Sequence, residues 1–163
     1  MTNWTKSGIA LVAATLLSAH AWAGGGSDGH SHSHGATFSA GEPGNPKKPA
    51  KIVQVTMGES GGKMLFVPMR LEIKKGDQIK FVLRNNGGIE HEFVLASTAD
   101  NLKHAEEMKK HPDMAHEEPN GRQLAPKKTG EIVWKFTKAG EFEYACLIPG
   151  HREAGMTGTI LVK

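Results

Sequence analysis

The sequence has a single cysteine, Cys146, among 163 residues. That excludes a disulfide within one chain, and it excludes the paired cysteines of most structural zinc sites. Aromatic residues amount to only 6%, with one tyrosine, and no basic run is interleaved with them. The formal charge is a mild +3. Neither feature suits a nucleic-acid surface. Long apolar runs are absent too. The run Ile9–Ala19 (IALVAATLLSA) falls short of the ~20 residues a bilayer-spanning helix requires. It follows Lys6 and precedes Ala21-Trp22-Ala23, a small-x-small pattern. Residues 1–23 therefore read as an export signal cut after Ala23, with no stable membrane insertion afterwards. Loss of Lys6 takes the charge from +3 to +2.

An exported chain meets oxidising surroundings, where cysteines usually pair. A lone cysteine there is a liability, an intermolecular bridge, a nucleophile or a ligand. The rest of the chain narrows the choice.

Residues 24–50 are rich in Gly, Ser, His and Pro and lack apolar periodicity, which predicts a flexible tail. From Lys51 the pattern changes. Ile52–Val55, Met69–Ile73, Gln78–Arg84, Glu90–Leu95, Glu131–Phe136, Glu141–Ala145 and Thr157–Val162 are short strand-like segments. Ile79, Phe81 and Leu83 share one face. Lys74–Asp77, Asn85–Gly88 and Lys138–Gly140 supply turns. This pattern predicts an all-β sandwich over residues 51–163. Residues 98–122 interrupt it. Asp100–Lys110 (DNLKHAEEMKK) has helix formers with Thr98 or Asp100 available as a cap, so a helix-bearing insertion is expected there.

The chemistry concentrates at Ala145–Met156, ACLIPGHREAGM. Cys146, His151 and Met156 follow one another at five-residue steps. A cysteine nucleophile needs a base and an orienting group, and no helix N-terminus follows Cys146 to lower its pKa. No catalytic residues are legible, so the chain reads as a non-enzyme, with Cu(I) oxidation left open. A thiolate, two imidazoles and a weak thioether suit copper in a trigonal electron-transfer site. The second imidazole must come from upstream. His91 qualifies, at a strand start just after the Asn85–Gly88 break. A satisfied buried histidine is the alternative reading of His91 taken alone.

Cys-x4-His-x4-Met before a terminal strand, with an upstream histidine at a strand start, resembles the cupredoxins, the family of plastocyanin and azurin. The resemblance runs over residues 52–163. It implies a Greek-key sandwich and one mononuclear type 1 copper, with His91, Cys146 and His151 equatorial and Met156 axial. More narrowly, the chain is similar to the periplasmic cupredoxins of bacterial copper resistance. Those carry a His- or Met-rich tail, an insertion after the first histidine and a Cys-x-Ile-Pro-Gly-His motif. Copper binding and Cu(I)/Cu(II) cycling in copper tolerance is the function this implies, with redox or copper-transfer proteins as partners. A soluble electron carrier is the alternative. One departure stands out: Glu92 occupies the position beside the first histidine where many cupredoxins have Asn or Ser. A dinuclear CuA centre is excluded, since it needs two cysteines.

Two further groups are candidate sites for additional copper. His30, His32 and His34 lie within five residues of tail, a composition that binds Cu(II) or Zn(II) without fixed geometry. His104, Met108, His111, Met114 and His116 lie in the insertion. His104 and Met108 are four apart on the predicted helix. The competing expectation is that Met108 packs the helix onto the sandwich.

Overall fold

The computed structural model describes Met1, residues 37–110 and residues 118–163. The predicted signal segment, the tail histidines His30, His32 and His34, and His111, Met114 and His116 lie outside the described residues.

Among the described residues the chain forms ten strands, most of them with alternating apolar residues: β1 (Glu42–Pro43), β2 (Lys51–Ser60), β3 (Lys63–Val67), β4 (Arg70–Ile73), β5 (Gln78–Asn85), β6 (His91–Ala96), β7 (Gly121–Leu124), β8 (Thr129–Lys135), β9 (Gly140–Ala145) and β10 (Thr157–Val162). One helix, α1 (Thr98–Lys110), separates β6 from β7. The strands form two five-stranded sheets, ordered β1-β8-β5-β2-β3 and β4-β10-β9-β6-β7. The pairs β2–β5 and β4–β10 are parallel; the others are antiparallel. The architecture is an all-β sandwich, as the alternation predicts.

The inward faces meet in one core. Ile79, Phe81 and Leu83 of β5 are all buried there, with Trp134 and Phe136 from the β8 region and Phe93 and Leu95 from β6. Aromatic edges cross between the sheets. Phe66 of the first sheet meets Phe93 and Tyr144 of the second at centroid distances of 6.0 and 5.1 Å. Each fully buried phenylalanine contributes roughly 1.5–3 kcal/mol of transfer free energy.

Every residue of β6 is buried. This breaks the in-out alternation of a half-solvated strand, and α1 is the cause. His91, Phe93 and Leu95 face the main core. On the opposite face, Val94 joins Ala145 and Leu147 in a second apolar cluster closed by Ala105 and Met108 of α1. The helix therefore roofs the outer side of the strand ends that carry His91 and Cys146. Its cap is neither Thr98 nor Asp100. The Asp100 amide donates to Ser97 Oγ at 3.1 Å, and Ser97 Oγ donates to the Asp100 carboxylate at 2.7 Å. Ser97 is thus the N-cap in a reciprocal capping arrangement, with Asp100 as its acidic partner in the first turn.

Residues 37–50 differ from the flexible tail that their composition predicts. Phe38 packs edge-on to Trp134 at 5.2 Å, Ala40 is fully buried, and Trp134 Nε1 donates to the Ala40 carbonyl at 3.3 Å. The partly buried Phe38 ring and the buried Ala40 anchor the strap, and Glu42–Pro43 adds an edge to β8. Among the described residues, no helix is long and apolar enough to cross a membrane.

Candidate metal centre

Three buried or half-buried donors converge at one end of the sandwich. Ligand atoms of His91, Cys146 and His151 all lie within 4.8 Å of one another. His91 is the first residue of β6 and is completely buried. Cys146 directly follows β9 and is also completely buried. His151 stands half-buried on the loop from 147 to 156, which leads into β10.

That loop is wound tightly. The His151 amide donates to the Ile148 carbonyl at 3.0 Å, Ala154 N to Gly150 O at 3.0 Å, and Met156 N to His151 O at 3.1 Å. Gly150 and Gly155 adopt φ of +88° and +98°, which side chains with a Cβ resist. The Cys146 amide closes the loop by donating to the Met156 carbonyl at 3.1 Å. Met156 is fully buried in the same core as Cys146. The Arg152 guanidinium ties the loop to β9 through the Glu143 carboxylate at 2.9 Å.

The thiol is held by the backbone. Glu92 N donates to Cys146 Sγ at 3.2 Å. The His151 Nδ1 is 3.3 Å from the same sulfur. The rings of His91 and His151 stand edge-to-face with centroids 5.3 Å apart. Burial pushes the Cys146 thiol up to about 12, against the amide hydrogen bonds from Glu92 and Ile148. Without metal, Cys146 is therefore a neutral thiol at physiological pH. Burial, and then the neighbouring His91, lowers the His151 pKa, so that imidazole stays neutral and able to coordinate.

The donor set fits copper. His91 Nε2 is engaged by Glu59 Oε1 at 2.8 Å, while His91 Nδ1 is buried without a hydrogen-bond partner. A buried polar nitrogen with no partner is costly, and a metal ion would satisfy it. One sulfur and two imidazole nitrogens, with a buried methionine beside them, match the soft and borderline preferences of copper. Copper held by His91, Cys146 and His151 would supply one-electron chemistry; the protein supplies a prearranged donor set.

Glu92 is more than a departure from Asn or Ser. It is only 2% exposed, one carboxylate oxygen has no hydrogen-bond partner, and burial raises its pKa to about 7 despite the hydrogen bond from the Leu147 amide. Glu59 is the neighbour that sequence reasoning missed. Its place inside the site depends on strand parity. Val55, Met57 and Glu59 follow one another at every second position of β2, and the first two are fully buried. A carboxylate on the inward parity at a strand end was the available signal.

Of the additional candidates, the described residues His104 and Met108 lie apart from this cluster. Met108 is 4% exposed and packs with Val94, Ala105, Ala145 and Leu147. His104 lines a separate cavity of about 180 Å³ with Asp100, Asn101, Glu118 and Asn120. Of the other methionines, Met57 is buried, Met64 half-buried and Met69 exposed.

Comparison with known proteins agrees with the geometry. Residues 53–163 match the family described as copper binding proteins, plastocyanin/azurin family. The copper-resistant cuproprotein CopI of Rubrivivax gelatinosus is 47% identical over 132 residues, covering 81% of this chain and 78% of that protein. CopI of Pseudomonas aeruginosa is 32% identical, covering 82% and 86%. Among solved structures, auracyanin B superposes with a TM-score of 0.61 at 22% identity, over 78% of this chain and 99% of that one; this likeness concerns the fold. The chain belongs to the plastocyanin/azurin family of copper-binding proteins, with copper as its cofactor.

Proposed function

We propose that this chain is an exported type 1 copper protein of copper tolerance. His91, Cys146 and His151 hold the metal, Met156 provides the weak axial contact, and the copper cycles between Cu(I) and Cu(II). The observation that carries this reading is the convergence of one buried thiol and two imidazoles within 4.8 Å. The 47% identity to a copper-resistant cuproprotein supports the physiological side. The signal-like sequence of residues 1–23 supports export to the periplasm, and the likeness to a copper-resistant cuproprotein favours a binding or transfer role over catalysis. The candidate residues His30, His32, His34, His104, His111, Met114 and His116 would extend copper capacity beyond one ion. Met108 is a weaker member of that group, since its side chain already serves the helix–sheet packing.

A soluble electron carrier is the second reading. It is favoured by the prearrangement of the donors, which keeps reorganisation small when an electron arrives. Copper stoichiometry and phenotype separate the two. Copper handling predicts uptake of more than one equivalent and copper-sensitive growth on deletion of the gene. One tightly held copper and unaltered copper tolerance would favour the carrier. Fractionation of the host tests export directly, with the mature protein expected in the periplasmic fraction.

A further inference from the structure

The loop between β5 and β6 is wrapped around the Glu59 carboxylate. Gly88 N donates to Oε2 at 3.0 Å and Ile89 N to Oε1 at 3.3 Å. A Cβ added at Gly87 would fall 2.5 Å from Oε1, so the backbone closes on the carboxylate at that residue. Asn85 anchors the same loop from the other side, accepting from Gly87 N at 2.8 Å and donating to the Ile89 and Leu124 carbonyls at 2.8 and 2.9 Å. The third partner of Glu59 is His91 Nε2 at 2.8 Å.

We infer that Glu59 is the positioning residue of the metal centre: it locks His91 as the Nε2–H tautomer, turns Nδ1 toward copper, and biases the bound metal toward Cu(II). This rests on His91 being a copper ligand. The tautomer follows from the partner's chemistry. An ionised carboxylate only accepts hydrogen bonds, so Nε2 must carry the proton. In the neutral ring, the form that binds a metal, Nδ1 is then left with its lone pair, and Nδ1 is the buried atom without a partner. The charge bias follows from Coulomb's law. An anion one imidazole away from the metal favours the doubly charged ion over the singly charged one. Carboxylate–histidine–metal pairs raise ligand basicity in the same sense. At 31% side-chain exposure, Glu59 is also reachable from solvent, unlike His91.

Glu59→Gln and Glu59→Ala in the purified protein test this. Nitrogen-15 NMR of the apo protein reads the His91 tautomer. The reduction potential of the copper-loaded protein reads the ratio of Cu(II) to Cu(I) affinity. The wild type should show only the Nε2–H form, and Glu59→Ala a mixture of tautomers. In Glu59→Gln the affinity ratio should fall about tenfold, equivalent to a potential about 59 mV higher for one electron. A merely structural role would shift melting and leave the potential alone. Unchanged tautomer and unchanged potential in Glu59→Gln would overturn the inference, and this near-isosteric variant decides even where Glu59→Ala fails to fold. His91→Ala separates the two levels. If it keeps the wild-type visible spectrum, the ligand assignment itself is wrong. If it loses that spectrum while the Glu59 variants match the wild type, only the role of Glu59 falls.

Discussion

His91 and His151 approach the same thiol from unlike ground. His91 begins a strand buried on both faces, by the main core on one side and α1 on the other, and Glu59 grips its far nitrogen. His151 rides a glycine-turned loop, half-buried, held by backbone hydrogen bonds and by the Arg152–Glu143 pair. Glu143 is in turn bonded by Asn101 of α1 at 3.2 Å. The sandwich thus supplies a rigid half-site and a loop completes it near solvent. Fixed donors would limit rearrangement around a bound copper, and the half-buried ligand lies near the surface.

The largest test of this contrast removes each ring in turn. His91→Gly and His151→Gly should both lose the intense visible band of the copper protein. Added imidazole should restore it in His151→Gly, where the vacated space opens toward solvent. In His91→Gly, fully enclosed, recovery should be at least tenfold weaker at equal imidazole, read by absorption titration. Equal recovery would erase the distinction between the two halves.

The roof over the rigid half can be loosened separately. Met108→Ala should cost about 2–5 kcal/mol of apo stability in urea unfolding while leaving the copper spectrum in place. A lost spectrum with intact stability would instead make Met108 a metal residue.

Glu92 offers a pH test of the same wall. In the folded apo protein its carboxyl stays neutral up to about 7, against 4.5 for an ordinary glutamate. Between those values the unfolded state sheds the proton first. The associated stability is fully present below 4.5 and lost as pH rises through about 7, at up to about 1.4 kcal/mol per pH unit. Apo Glu92→Gln should lack this slope between pH 5 and 7, as measured by chemical denaturation. A slope that persists in the variant would place its origin elsewhere.

The smallest effect belongs to the loop. Arg152→Ala should cost about 1–2 kcal/mol, since the pair is only partly exposed and charge-assisted. Amide exchange should quicken at His151 and remain unchanged at His91. Equal quickening at both would contradict the independence of the two halves.

Much of this was legible from residue spacing. Cys146, His151 and Met156 lie on one short loop, so their neighbourhood follows from chain connectivity. His91 was readable because a strand start after a glycine break places a side chain at the sandwich rim. The strap at 37–50 was not, because its order comes from Phe38 finding Trp134 across the fold. The edge strand β7, Gly121–Leu124, was not read as a strand, because GRQL has no apolar alternation and its first two residues fell at the end of the expected insertion; its pairing with β6 defines it. Glu59 stayed hidden for a related reason. Strand parity marks it as inward, but its role depends on the β5–β6 loop and on an imidazole 32 residues away, which parity alone does not announce. The cap of α1 turned on one hydroxyl, and Thr98 and Asp100 were plausible only until the Ser97–Asp100 exchange was seen.

The central claim is that Cys146 is a copper ligand rather than a spare thiol. Titration of the apo protein with Cu(II), followed by visible absorption beside Cys146→Ser, tests it most directly. An intense band that saturates at one equivalent and is absent from the serine variant is the expected result. A wild-type protein that binds Cu(II) without such a band, or a Cys146→Ser protein that keeps it, would contradict the account.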